Sequence, residues 1–163
     1  MDVFQHTPAF QLKDLSYEYE LTKIYGSDKT RMDRCASLFA EQSNHRFQMG
    51  AGIYQSGSWI SGGCNERRSH ARLYPYREAL HAEQVAMMSA RCDIEGSTIY
   101  VCRMSDDGYR LAKPCFWCMH AMIRENVYRV VYTADINTLE SFKISSVSIN
   151  PLENYSTETR RFR

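Results

Sequence analysis

Two short motifs constrain this chain more than anything else in it: His81-Ala82-Glu83, and Pro114-Cys115-Phe116-Trp117-Cys118, with 34 positions from His81 to Cys115. Each begins a stretch with helical spacing, and the run STIYVCRM between them is rich in β-formers. Cys115 and Cys118 are three apart, so both sulfurs fall on one face of a first helical turn. Unpaired backbone N–H groups and the helix dipole stabilise thiolates there. His81 adds a borderline-soft nitrogen, and such a three-donor set suits zinc while leaving the fourth tetrahedral position to water.

An open position points to catalysis. Two thiolates and a neutral imidazole make a zinc site formally neutral, so the metal alone acidifies water less than an all-histidine site does. A nearby base is then needed, and Glu83 is placed to take a proton and return it. The pair Cys115 and Cys118 taken alone fits a structural zinc site equally well, completed by Cys64, Cys92 or Cys102. The addition of His81, Glu83 and Pro114 favours the catalytic form.

The chain around these motifs reads as alternating elements. Residues 1–27 form an arm rich in Tyr and polar side chains, with Gly26-Ser27-Asp28 as a break. The run 28–43 places Met32, Cys35, Leu38 and Phe39 at helical spacing, with a Ser or Asp available as N-cap. RFQMGAGIYQ and SWISGGCN then form a hairpin through Ser56-Gly57. The stretch from Glu66 to Leu80, broken by Pro75, is a loop. HAEQVAMMSARC resumes helical spacing at Val85, Met88 and Cys92, and Gly96 ends it.

After the strand STIYVCRM comes a polar loop, SDDGYRLAK, and Pro114 opens a helix over about 115–126. YRVVYTA is a further strand. ESFKISSVSI supplies another, and the short connection favours an antiparallel return over a crossover. The ending, 150–163, is a surface tail. Helices that alternate with strands in the second half imply parallel strands and crossover helices.

A length of 163 residues, 44% hydrophobic and 24% charged, fits one globular domain over 1–163 with a single core. Twenty basic and 19 acidic residues give a net charge of +1, so any attraction for phosphate must be local. The start, MDVFQHTPAFQLKDL, lacks the basic opening and apolar run of a secretory signal. Nowhere do about 18 apolar residues follow one another, so a soluble chain in the cytoplasm, away from membranes, is the expectation.

The H-x-E and P-C-x-x-C pairing is the signature of zinc deaminases. At these residues the chain resembles the cytidine and deoxycytidylate deaminase superfamily. The likeness runs from about Asp28 to Ala134, through the helix, the hairpin ending GGCN, HAEQVAM, PCFWCMHAMI and RVVYTAD. It implies a three-layer α/β/α fold with a five-stranded mixed sheet and helices on both faces. It also implies zinc held by His81, Cys115 and Cys118, Glu83 as proton shuttle, a backbone contact from Ala82 to the base, and a homo-oligomer. Asn65 stands where the family places an asparagine that hydrogen-bonds the substrate, although asparagine is also a common turn residue.

Between Asn65 and His81 lie Arg67, Arg68, His70, Arg72 and Arg77, with Tyr74 and Tyr76. Arginine forks match phosphate oxygens, so these residues suit the 5'-phosphate of a free nucleotide. They equally suit a polynucleotide backbone with tyrosines stacked on bases, or a solvated loop whose charges partner Glu66 and Glu78. The balanced net charge favours the free nucleotide, and deamination of deoxycytidylate is the reading adopted. The chain departs from the best-known deoxycytidylate deaminases in this same loop, which lacks an additional Cys and His set for a second zinc.

The remaining candidates read as packing residues. His6, His45 and His120 have no ligand-like spacing. Met87, Met88, Met119 and Met122 fill gaps around the two motif helices, and Cys35, Cys92 and Cys102 are small core residues. Phe116 and Trp117 either line the base pocket or pack beneath it.

Overall fold

The computed structural model describes residues 17–66 and 80–149. The first part of the expected arm, the loop 67–79 and the expected tail 150–163 lie outside them. The order is β1 (Tyr17–Glu18), β2 (Leu21–Thr22), α1 (Gly26–Leu38), a 3-10 turn (Ala40–Gln42), β3 (Gln48–Gln55), β4 (Ser58–Cys64) and α2 (Ala82–Ser89). Then come β5 (Thr98–Ser105), β6 (Gly108–Arg110), α3 (Phe116–Arg124), β7 (Arg129–Asp135), β8 (Thr138–Lys143), a second 3-10 turn (Ile144–Ser146) and β9 (Ser148–Ile149).

One mixed sheet runs in the order β2-β8-β7-β5-β3-β4, with β6 beside β5. β5 and β7 are parallel and joined across α3, while β8 returns antiparallel to β7. Those two connections are as the sequence implies. The sheet has 7 strands rather than the expected five. The extra two come from the arm, as β2 against β8, and from the expected polar loop, as β6 against β5. β1 forms a separate ribbon with β9.

The period of two along each strand sorts the core into two layers. On one face Tyr100 and Cys102 of β5 and Val131 of β7 pack with Met32, Cys35 and Ala36 of α1. On the other, Ile99, Val101, Val130 and Tyr132 pack with Ala82 and Ala86 of α2 and Met119 and Met122 of α3. Each large side chain buried in these layers contributes roughly 1.5–3 kcal/mol.

Local chemistry explains the joints. Ser56 and Gly57 both have positive φ, 51° and 80°. That geometry gives a two-residue turn whose twist matches the flanking strands. At Gly63 of β4 an added Cβ would lie 2.4 Å from Val85 Cγ1. Only a residue without Cβ lets α2 settle this closely on the strand.

Several expectations are corrected. α1 starts at Gly26, because the Asp28 carboxylate accepts a hydrogen bond from the Tyr25 N–H at 2.7 Å and closes the first turn; the expected break is helix. It ends at Leu38, which is 45% exposed, because Phe39 turns away to stack on Trp59 with ring centroids 5.8 Å apart. α2 stops at Ser89, well before Gly96. Gln55 Nε2 donates to the carbonyls of Asp93 and Glu95 and holds that segment at the end of β3 instead of on the helix axis. Cys92 and Met88 are accordingly exposed rather than core residues. Among the described residues no helix is long and apolar enough to cross a membrane.

Candidate active site

The N-termini of α2 and α3 meet against the same layer of core. His81 is the N-cap of α2: its carbonyl accepts from Val85 N, and its own N–H donates to Gln84 Oε1 at 2.9 Å. Cys115 is the N-cap of α3, with its carbonyl accepting from Met119 N, and Cys118 lies in that helix's first turn. His81 Nδ1 is 3.5 Å from Cys115 Sγ and 3.4 Å from Cys118 Sγ. All three donor atoms lie within 4.8 Å of one another.

These separations test the metal expectation directly. Zinc–sulfur and zinc–nitrogen bonds of about 2.3 and 2.05 Å at a tetrahedral angle set nitrogen and sulfur roughly 3.5 Å apart. The donor set fits zinc in both chemistry and spacing, with Nδ1 as the imidazole ligand. The three residues are the one metal-sized group of His, Cys, Asp or Glu donors among the described residues. Cys102 packs on the α1 side of the sheet and bonds the Gly50 carbonyl, Cys92 is exposed, and Cys64 is not in the group. A fourth protein ligand from these cysteines is therefore not found.

Glu83 sits in the first turn of α2 with 1% of its surface exposed. Its Oε1 has no hydrogen-bond partner among the described residues. Burial pushes the carboxyl above the usual carboxylate range, the His81 ring draws it partly back, and Cys115 pushes it up again. A buried acid with an idle oxygen beside three metal donors is equipped to carry a proton. Ala82 is the first residue of the same helix, so its N–H has no intrahelical acceptor and is available to a ligand.

Asn65 is 7% exposed and its amide is already engaged. Oδ1 accepts from Ser43 Oγ at 2.6 Å and from Met49 N at 3.0 Å, and Nδ2 donates to the Phe47 carbonyl at 2.6 Å. It anchors the turn 43–49, and among the described residues its second Nδ2 hydrogen takes no acceptor. Arg67, Arg68, His70, Arg72 and Arg77 lie outside the described residues, but the roots of their loop do not. Glu66 and Leu80 exchange two backbone hydrogen bonds of 3.0 Å. One root thus adjoins Asn65 and the other His81.

Two features escaped the sequence reading. Tyr17, in the expected arm, is 7% exposed, and its hydroxyl donates to the carbonyl of Pro114, the residue before Cys115. Phe47, 44% exposed, has the Arg103 guanidinium 4.4 Å from its ring centroid. Neither pair has a local signal, because the partners are far apart in sequence. His120, 8% exposed, agrees with its packing reading; Phe116 is 7% exposed and Trp117 half-buried, which fits either lining the base pocket or packing beneath it. His45 Nδ1 accepts from Phe47 N, which leaves that ring a local turn role. His6 lies outside the described residues.

The model of the cytidine and deoxycytidylate deaminase zinc-binding region matches residues 26–134. That span holds His81, Glu83, Cys115 and Cys118 but excludes β1. The structure is similar to the dCMP deaminase of cyanophage S-TIM5 in apo form, at 24% identity over 71% of this chain and 88% of that one, with a TM-score of 0.51. The same enzyme in complex with dCMP and dUMP aligns at 22% identity over 69% and 85%, TM-score 0.51. The cytidine deaminase of Burkholderia pseudomallei aligns at 23% identity over 71% and 92%, TM-score 0.53. No curated protein sequence matches the chain.

Proposed function

Because this chain belongs to the cytidine and deoxycytidylate deaminase family, and is a zinc-dependent deaminase, we propose that it hydrolyses the amino group from the cytosine of a free nucleotide, deoxycytidylate, giving deoxyuridylate and ammonia. The observation that carries the reading is the convergence of His81 Nδ1 and the sulfurs of Cys115 and Cys118 beside the idle buried oxygen of Glu83.

Zinc held by His81, Cys115 and Cys118 would supply a Lewis acid that makes water a better nucleophile, with Glu83 as the base that a formally neutral site needs. Glu83 takes a proton from the attacking water and delivers it to the ring nitrogen and then to the departing amine. A carbon–oxygen bond forms at C4, the carbon–nitrogen bond breaks, and ammonia leaves. The Ala82 N–H contacts the base, and the remaining Nδ2 hydrogen of Asn65 meets the sugar or base edge. Burial of Ala82 and Glu83, at 0% and 1% exposure, keeps bulk water from competing for the same proton.

The phosphate preference rests on the loop 67–79. Its two roots, Glu66 and Leu80, adjoin Asn65 and His81 in the chain, and the loop's Arg67, Arg68, His70, Arg72 and Arg77 supply the side-chain types that match the oxygens of a 5'-phosphate. The shared fold with a dCMP deaminase solved with dCMP and dUMP supports the same choice.

The test is ammonia release from a panel of deoxycytidylate, deoxycytidine and cytosine-containing oligonucleotides. Deoxycytidylate is expected to turn over well ahead of deoxycytidine, and Arg72→Ala and Arg77→Ala should raise KM for the nucleotide but not for the nucleoside. Turnover confined to oligonucleotides, falling steeply with salt, would replace the free nucleotide with a polynucleotide. A zinc-loaded chain that releases no ammonia from any of them would be a zinc-stabilised binding module.

A further inference from the structure

The family match begins at residue 26, yet a residue before it reaches the metal-bearing loop. Of the two thiolates, Cys118 is inside α3 and fully buried, so the helix itself fixes its position. Cys115 is different: it is the N-cap, with extended backbone angles of φ −72° and ψ 169°. Nothing in helix geometry determines how its peptide is turned. The carbonyl that precedes it, on buried Pro114, lies outside the helix and has no partner there.

Tyr17 supplies that partner. Its ring is held between Tyr19 and Phe142, at centroid separations of 5.7 and 6.4 Å, and beneath the Lys113 ammonium at 4.8 Å. The strand that carries it pairs with β9, Tyr17 opposite Ile149. The proline ring already fixes φ at Pro114, and the hydroxyl-to-carbonyl bond then fixes the peptide plane that leads into Cys115.

We propose that Tyr17 is a positioning residue of the zinc site, orienting the Cys115 thiolate through the Pro114 carbonyl. The inference rests on the reading of His81, Cys115 and Cys118 as zinc ligands and is independent of the substrate. Partners one shell out from a ligand tune metal affinity by roughly 10–100-fold.

The experiment measures zinc affinity of the full chain by chelator competition, with cobalt(II) substitution to read the thiolate charge-transfer band. Tyr17→Phe keeps the ring and removes the donor; circular dichroism checks that the fold is retained. Its zinc affinity is expected to fall about tenfold, with a shifted cobalt band. Tyr19→Phe is the control, since its hydroxyl bonds Tyr132 in the same aromatic cluster without touching the metal loop. It should bind zinc as the wild type does. Wild-type affinity in Tyr17→Phe, or an equal loss in Tyr19→Phe, overturns the inference. A wild-type chain that takes up no zinc overturns the ligand assignment itself.

Discussion

Asp28 and Arg129, 101 positions apart, form a two-point ion pair: Nη1 donates to Oδ1 at 2.9 Å and Nη2 to Oδ2 at 2.8 Å. The Tyr100 hydroxyl adds a bond of 2.7 Å to Oδ1, and the Tyr25 N–H one of 2.7 Å to Oδ2. The carboxylate is 1% exposed, so it joins the first turn of α1 to β5 and β7 out of reach of water. It holds the layer of the fold opposite the metal site.

Burial pushes the Asp28 carboxyl up, but the bonds from Arg129, Tyr25 and Tyr100 outweigh it and leave it below the usual carboxylate range. A depressed folded value means stability that is present above the unfolded value of about 3.9 and lost as pH falls through the folded one. Asp28→Asn strands a mostly buried guanidinium and should cost about 3 kcal/mol at pH 7. Urea unfolding of both proteins at matched zinc should show that gap constant above about pH 4 and narrowing only below it.

Glu83 offers the opposite balance, because among the described residues its buried Oε1 has no partner to lose. Glu83→Gln should lower kcat by roughly 10²–10⁴-fold while zinc content stays at the wild-type level. Thermal melting should be unchanged or higher. A parallel loss of zinc or of stability would assign Glu83 to the scaffold instead.

Zinc at the junction of α2 and α3 should stabilise the folded chain by mass action. At free zinc about 1,000 times Kd the contribution is roughly 4 kcal/mol. Chelation should therefore lower Tm by several degrees, reversibly on adding zinc back. Cys118→Ser, with its sulfur fully buried in the first turn of α3, should melt at the chelated temperature with or without zinc.

The contact between Gly63 and Val85 sets how closely the helix bearing His81 and Glu83 lies on the sheet. Gly63→Ala brings a Cβ within 2.4 Å of Val85 Cγ1 and 2.7 Å of its Cβ. A β-branched side chain in a helix has little rotamer freedom to move aside. The cost should be about 1–3 kcal/mol by chemical denaturation. Adding Val85→Ala should recover part of it, giving a coupling between the two sites that distant positions do not show.

The candidate zinc donors His81, Cys115 and Cys118 and the proposed proton carrier Glu83 could be picked out in the sequence because their spacing is local. His81 and Glu83 are separated by one residue, and Cys115 and Cys118 by one helical turn, so helix geometry alone gathers each pair. The motif helices, the hairpin at Ser56-Gly57 and the antiparallel return of β8 were readable for the same reason: turn chemistry and hydrophobic period act within a few residues. Where α1 begins was open to a local reading as well, since the Asp28 carboxylate caps the Tyr25 N–H three residues back, but Gly26-Ser27 reads as a break. Only the bonds of Asp28 to Arg129 and Tyr100 lay beyond local sequence. Likewise β6, Tyr17 against Pro114, and Phe47 against Arg103 each depend on strand register. Register is decided when the whole sheet packs, by burial and by the partners it brings opposite one another. The sequence by itself thus determined the chemistry of the site; the tertiary structure decided that His81 and the two sulfurs meet, and which outlying residues hold them there.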